Sequence, residues 1–466
     1  MKGNINLTYL LSLSIVAALG GFLFGYDTAV ISGTVQFVSA YFQLDAVQQG
    51  WYVGCALVGS IIGVLFSGIL CDRFGRKTTM FFSSIMFSIS AIGCAFYTSF
   101  DELVAYRIIG GVGIGIVSIA SPLYIAELAV SQYRGRLVSL YQLAITVGIL
   151  CSYWVNYEIL EYSKVCHASL EWIQWIFVDE VWRGMLGMET IPALLFFVVV
   201  LLIPESPRFL LLKKRENKAS EILERIYLYP QEVSIQLKSI KSALIEANDS
   251  EWKSLFQRGI FRAVIIGVSL AMLGQFMGIN AVLLYGPSMF EEAGLSGNSS
   301  LFYQILVGVV NALTTILALL IIDKVGRKTL IYYGVSGMII FLLLISFYYQ
   351  YSGMLHMASW ILLLGFLGYI FCCAISICAV IFVLLSEMYP MKVRGMAMSI
   401  AGFSLWIGTY LIGQLTPWFL ENLESAGTFL LFAFMCIPYL LIVWKLIPET
   451  TGKSLEEIEN YWKKYS

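Results

Sequence analysis

Long apolar runs recur along this chain, separated by short polar segments that hold most of its charge. A helix needs about 20 apolar residues to cross the hydrocarbon core of a bilayer. On that criterion the runs predict spans at 9–33, 47–70, 78–98, 102–124, 136–157 and 184–203, and again at 261–285, 301–322, 329–350, 358–385, 395–420 and 427–447. The expected fold class is an all-α membrane protein of twelve transmembrane helices, six in each half. The run from Leu7 to Ile31 is too long for a cleaved signal peptide and carries Asp27, so it is read as a retained first span. Pro122, Pro192, Pro287 and Pro417 interrupt the runs, and membrane helices tolerate such breaks where neighbours re-satisfy the backbone.

One long hydrophilic stretch stands apart, from Pro204 to Arg258. In it Ala219, Ile222, Leu223 and Ile226, then Val233, Leu237, Ile240 and Leu244, follow helical spacing. They predict short amphipathic helices packed under the membrane domain. The expected layout is a first six-helix half at 1–203, a helical linker at 204–260, a second half at 261–447 and a tail at 448–466.

The polar segments repeat. Asp72-Arg73-Phe74-Gly75-Arg76-Lys77 returns as Asp323-Lys324-Val325-Gly326-Arg327-Lys328. Glu127 with Arg134-Gly135 returns as Glu387 with Arg394-Gly395, and Pro204-Glu205-Ser206 as Pro448-Glu449-Thr450. Three motif pairs at near-constant offset identify a tandem duplication. Parallel halves of this kind point to the major facilitator architecture.

Composition agrees with the pattern. Of 466 residues 59% are hydrophobic and 13% charged, against about 25% charged in soluble domains, and the mean hydropathy is +0.80. A net charge of −1 gives no basic surface for nucleic acid. The nine cysteines form no metal or disulfide pattern, and the two histidines, His167 and His356, leave no zinc set. No Walker loop is present, so neither ATP nor any cofactor is expected, and enzyme chemistry is not. With both termini cytoplasmic, Arg73, Arg76, Lys77, Arg134, Arg136, Lys324, Arg327, Lys328, Lys392 and Arg394 all fall in inner loops, and only Lys164 and Arg183 fall outside. That Lys/Arg bias predicts this orientation.

Inside the first half, Asp27 sits in span one, Arg107 in span four and Glu189 in span six. An ionisable group in a membrane is costly and faces a partner or a wet cavity. A carboxylate beside a fixed arginine holds its charge, then takes a proton when that partner moves away. Two readings of this set stand side by side: a proton switch, and a static ion pair that pins helices.

The chain resembles the sugar porter family of the major facilitator superfamily. The resemblance rests on Gly25-Tyr26-Asp27-Thr28-Ala29, the two Asp-x-x-Gly-Arg-Lys loops, Tyr106-Arg107-Ile108-Ile109-Gly110-Gly111, Pro204-Glu205-Ser206-Pro207-Arg208-Phe209-Leu210 and Pro448-Glu449-Thr450-Thr451-Gly452-Lys453. It implies that Asp27 takes the coupling proton with Arg107 and Glu189 as partners. It implies substrate contacts from Phe24, Gln142, Gln275, Asn280, Tyr285, Asn311 and Trp406. It implies an inner gate of Asp72, Arg73, Arg76, Glu127, Arg134 and Glu205 in one half, and of Asp323, Arg327, Glu387, Arg394 and Glu449 in the other. The implied partners are a small sugar, protons and the lipid bilayer, with a monomer as the working unit in a bacterial inner membrane.

The chain also departs from the family. Gly274 stands where a first glutamine of span seven is usual, and Leu405 where a glutamine precedes the span-eleven tryptophan. Ile149 replaces a further glutamine, and Ile377-Cys378-Ala379 replaces a tryptophan-glycine-proline motif, which removes the kink signal from span ten. A sugar hydroxyl facing an apolar wall loses its water at a cost of roughly 1–3 kcal/mol. The expected function is proton-coupled monosaccharide symport by alternating access. An uncoupled sugar or polyol facilitator, a sugar sensor and a carrier of some other solute are the alternatives.

Overall fold

The computed structural model describes residues 5–130, 132–165, 170–246, 255–294, 298–389 and 393–447, with the side chains of 243–246, Arg258, Asn298 and Asp323 excepted. Glu449, Lys392 and the predicted 448–466 tail lie outside the described residues.

The first five spans are the helices α1 (Leu7–Phe42), α2 (Ala46–Phe74), α3 (Arg76–Phe96), α4 (Phe100–Leu128) and α5 (Arg134–Val165). Span six, α6, covers Val181–Leu202 and is interrupted by a turn at Met188 and Glu189. Three short helices follow in the hydrophilic stretch: α7 (Pro207–Leu212), α8 (Glu216–Ile226) and α9 (Pro230–Glu246). The predicted apolar stripe of α8 is buried at Ala219, Ile222, Leu223 and Ile226.

Span seven is two helices, α10 (Arg258–Phe276) and α11 (Ile279–Glu292), separated at Gly278 with φ 92°. Then come α12 (Asn298–Val325), α13 (Arg327–Leu355), α14 (Ser359–Cys373) and α15 (Ala379–Met388). A final helix, α16, runs from Arg394 to Leu446 over 53 residues. At 1.5 Å per residue it would be about 80 Å long, more than twice the hydrocarbon thickness. Its backbone breaks at Glu424 (φ 57°, ψ 171°), so its two limbs are the last two spans and the total is twelve. The sequence led us to expect a loop at 421–426. Instead the turn is a single non-helical residue.

In span ten, where the glycine-proline signal is gone, a π-helical turn at Ala374–Cys378 separates α14 from α15. Ser376 Oγ donates to the Cys372 carbonyl at 2.5 Å. A hydroxyl bonding back to the i−4 carbonyl competes with the backbone ladder and bends helices.

The contacts divide the chain into two compact units. One comprises Met1–Thr28, Val58–Ile149 and Leu186–Ser250, and the other Ala29–Leu57, Leu150–Met185 and Glu251–Ser466. In the first unit α2 and α4 touch backbone to backbone. A Cβ added at Gly63 would lie 2.3 Å from the Val112 carbonyl oxygen, and one at Gly115 2.1 Å from that of Ser60. Glycine is what permits this approach, the usual device for packing helices in lipid.

In the second unit Pro287 sits inside α11 and has no N–H to give the carbonyl of Leu283, four residues back. Tyr153 donates its hydroxyl to that carbonyl at 2.8 Å, and Gln304 Nε2 donates to it at 3.2 Å. The freed backbone group is thereby satisfied from α5 and α12.

Candidate functional site

Three sets of side chains were expected to carry function. The first is brought together inside the first unit. Asp27, Arg107 and Glu189 are 0%, 2% and 2% exposed. Arg107 Nη1 donates to Asp27 Oδ1 and contacts the Asp27 carbonyl. Glu189, at the turn within α6, lies within electrostatic reach of both. Asp27 Oδ2 and Glu189 Oε1 are each buried without a hydrogen-bond partner. Gly110 makes room for the aspartate, because a Cβ there would stand 2.9 Å from Asp27 Oδ2 and 2.5 Å from Ser90 Oγ. The cluster thus holds two carboxyls and one guanidinium. A buried net charge is costly, so the set closes electrically when one of its two carboxyls carries a proton.

The second set divides between the units. Phe24 and Gln142 belong to the first and are half-buried. Gln275, Asn280, Tyr285, Asn311 and Trp406 belong to the second. Asn280 Nδ2 donates to Gln275 Oε1 at 2.7 Å, and Thr409 Oγ1 donates to the same oxygen at 3.1 Å. Five residues along an unbroken helix would place Asn280 about 140° round from Gln275. The break at Gly278 is what folds the two amides together. Trp406, from α16, is 8% exposed and Asn311 6%. Tyr285 is 1% exposed and its hydroxyl donates to the Gly413 carbonyl at 2.6 Å, a tie between α11 and α16.

The third set is the repeated loops. In the first unit Arg76 Nη2 meets Glu127 Oε1 at 2.9 Å and Asp72 Oδ1 at 3.3 Å. Glu205 Oε1 accepts the backbone N–H groups of Arg76 (2.9 Å), Lys77 (3.1 Å) and Ser206 (2.8 Å). Two of these are the first N–H groups of α3, so this carboxylate caps that helix from a distant part of the chain. Burial pushes the Glu205 carboxyl above the usual value, and its N–H bonds and Arg76 pull it only part of the way back. Ser206 Oγ donates to Glu127 Oε2 at 2.5 Å and completes the network. Arg73 and Arg134 stand outside it: both are exposed, and Arg73 lies over the Phe74 ring.

The second unit repeats the design in geometry as well as in sequence. Gly75 and Gly326 both precede a helix with φ 97° and 95°. Arg76 Nη1 donates to the carbonyl of Cys71 and Arg327 Nη1 to that of Ile322, five residues back in each case. Arg327 Nη2 meets Glu387 Oε1 at 2.9 Å. Arg394 Nε donates to the Tyr389 carbonyl at 3.3 Å. The Asp323 side chain and Glu449 lie outside the described residues.

Thr409 was not singled out from the sequence, and Ser206 only as part of a repeated motif. A lone hydroxyl in an apolar run such as Thr409 carries no signal, although Thr409 lies one turn from Leu405 on the same face of α16.

Comparison with known proteins places this geometry. A family model described as "Sugar (and other) transporter" matches residues 13–462. The arabinose–proton symporter of Bacillus subtilis is 38% identical over 458 residues, covering 98% of this chain and 96% of that protein. The D-xylose–proton symporter of Escherichia coli K12 is 38% identical over 501 residues, covering 99% and 98%. The xylose transporter of E. coli in its inward-open conformation superposes with a TM-score of 0.84 at 35% identity, covering 97% of this chain and all of that one. The chain is a multi-pass integral membrane protein belonging to the sugar transporter family of the major facilitator fold.

Proposed function

We propose that the protein is a proton-coupled monosaccharide symporter that works by alternating access. The observation that carries this is the buried Asp27–Arg107–Glu189 cluster. Two carboxyls lie in the field of one guanidinium out of contact with water, and each has an oxygen with no partner. A site of that composition gains a proton in one state and loses it in another when access to water changes. Asp27 is the proton carrier, Arg107 the fixed cation, and Glu189 the second carboxyl that shares the proton. The names of the two symporters that resemble this chain support sugar as the cargo.

Gln142, Gln275 and Asn280 then supply hydrogen bonds to sugar hydroxyls, with Phe24 and Trp406 as apolar walls and Tyr285 and Asn311 as further lining residues. The six-helix segments 1–203 and 261–447 are the rocking halves, joined by 204–260. The Arg76–Glu127–Glu205 and Arg327–Glu387 networks are the inner gate, because ion pairs at span ends are exchangeable ties. The positive-inside bias supports cytoplasmic termini in a bacterial plasma membrane, and a monomer suffices for this cycle.

The test is proton movement. Purified protein in liposomes with a trapped pH dye is given pentoses, hexoses, deoxysugars and polyols without an imposed gradient. Symport yields a sugar-triggered proton influx that is lost in Asp27→Asn while counterflow of labelled sugar persists. Counterflow with no proton movement in the wild type would leave an uncoupled facilitator and make the cluster a helix tie. Silence toward every sugar would overturn the sugar reading.

A further inference from the structure

The amide pair of the second unit has a feature that its sequence does not announce. Gln275 Oε1 is the shared acceptor of two donors, Asn280 Nδ2 at 2.7 Å and Thr409 Oγ1 at 3.1 Å. The Thr409 hydroxyl, 6% exposed, also lies 3.0 Å from the Leu405 carbonyl of its own helix, so its one proton is held between two acceptors. The stem of Gln275 is held as firmly as its head. A Cβ added at Gly408 would stand 3.1 Å from Gln275 Cβ and 3.2 Å from Cγ, so α16 lies directly against the glutamine.

An amide has a donor end and an acceptor end. With its oxygen occupied twice, Gln275 has only its NH2 left to offer. Asn280, having spent an N–H on Gln275, has its carbonyl oxygen left. Among the described residues neither Gln275 Nε2 nor Asn280 Oδ1 has a protein partner, and both side chains are half-buried.

We propose that Thr409 is a specificity-determining positioning residue: it fixes the polarity of the Gln275–Asn280 pair, so that the pair reads one substrate hydroxyl as acceptor and donor at once. The Gln275 NH2 donates to the hydroxyl oxygen, and the Asn280 carbonyl receives the hydroxyl proton. A hydroxyl satisfies both groups, a fluorine only the first, and a deoxy carbon neither. Thr409 need not touch the substrate. Without it the Gln275 amide is free to turn over, and the pair loses its preference for a group that is donor and acceptor together. This inference rests on Gln275 and Asn280 being sugar ligands, as proposed above.

The experiment uses the full chain with Thr409→Val, which keeps the shape and removes the hydroxyl, and Thr409→Ser, which keeps the hydroxyl. Counterflow in proteoliposomes is measured with D-xylose and with its monodeoxy and monofluoro analogues. One net hydrogen bond converts to roughly three- to tenfold in affinity. We expect Thr409→Val to raise KM for D-xylose by about that factor with kcat held, and to shrink the penalty for one particular deoxy analogue by a similar factor. Thr409→Ser restores both. A rise in KM that is equal for D-xylose and every analogue, or one that Thr409→Ser does not rescue, overturns the proposal in favour of plain packing.

A substrate-free reading separates this from the proposed function. In nanodiscs, the side-chain amide signals of Gln275 and Asn280 in 15N-labelled protein are compared between wild type and Thr409→Val. Signals that shift in Thr409→Val and return in Thr409→Ser support the lock, even if D-xylose is not carried. Signals that do not move overturn it, whatever is transported.

Discussion

Two polar clusters, one in each unit, are built from different chemistry. The first holds charge: Asp27, Arg107 and Glu189, all under 3% exposed. The second holds neutral amides and a hydroxyl, Gln275, Asn280 and Thr409, linked through one oxygen. The charged cluster comes from the first six spans and the amide cluster from the last six, so the two differ in what each repeat was given to hold. Charges inside a membrane respond to proton and partner, while amides respond to the shape and hydrogen-bond polarity of a neutral ligand. Under the proposed function, such a division separates the energy source from recognition, and a change of sugar specificity at Gln275 and its neighbours would leave the Asp27 cluster untouched.

The contrast breaks most severely at Arg107. Arg107→Leu removes the cation of the described cluster and leaves two buried carboxyls without it. Truncating one partner of a buried pair costs about 3–5 kcal/mol. The expected outcome is a large fall in melting midpoint in detergent and loss of coupled uptake. Adding Asp27→Asn to Arg107→Leu removes one of the stranded charges and restores much of the stability but not the coupling. Equal melting of the single and double variants would mean that the cluster is not electrically closed.

On the amide side the matching lesion is Gly278→Ala. Gly278 has φ 92°, and a Cβ there would lie 2.4 Å from the Phe432 ring. Forcing an L-residue into that conformation costs about 1–3 kcal/mol, and the clash adds to it. Because Gly278 sets the angle between α10 and α11, sugar KM rises sharply. Proton leak and the Asp27 cluster stay as they were, since the residue acts only on the neutral set. A variant that lost coupling and kept its KM would reverse the assignment of roles.

A smaller effect is expected at Tyr153, which has no charge to contribute. Its hydroxyl serves the Leu283 carbonyl that Pro287 leaves without a donor. Tyr153→Phe should cost about 1 kcal/mol, the usual net value of one hydrogen bond, because Gln304 still donates to that carbonyl at 3.2 Å. Removing both donors in Tyr153→Phe with Gln304→Leu should cost more than the sum of the single changes. Thermal unfolding of the four proteins measures that coupling.

How much of this was legible beforehand follows from the kind of signal each feature leaves. The spans announced themselves because lipid demands long apolar runs, and the loop hexads because charge cannot rest in hydrocarbon. Asp27 and Arg107 were visible for the same reason. Gly278 was hidden, since one glycine among many says nothing about φ until the chain is folded. The π turn at Ala374–Cys378 was hidden because no glycine or proline marks it. Thr409 was hidden because a hydroxyl fits an apolar helix by bonding to its own backbone, and its partner across the interface depends on packing. Tyr285 was legible as an aromatic in span seven, but its tie to Gly413 was not.

The smallest expected effect concerns the span ends, where both units rely on charge. Glu205 caps α3 through the N–H groups of Arg76 and Lys77, yet burial keeps its carboxyl above the ordinary value of 4.5. A carboxyl with a raised value in the folded state binds its proton more tightly there than in the unfolded chain. Its contribution to stability is therefore full below pH 4.5 and declines as pH rises through the raised folded value. Glu205→Gln accepts the same N–H bonds through its amide oxygen and does not titrate. Relative to the wild type, this variant should gain stability as pH is raised from 4 toward neutrality, as measured by melting midpoints across that range. A difference that is flat with pH would mean that the three N–H bonds offset the burial completely. The first unit's gate would then hold a carboxylate as indifferent to pH as the neutral amides of the second.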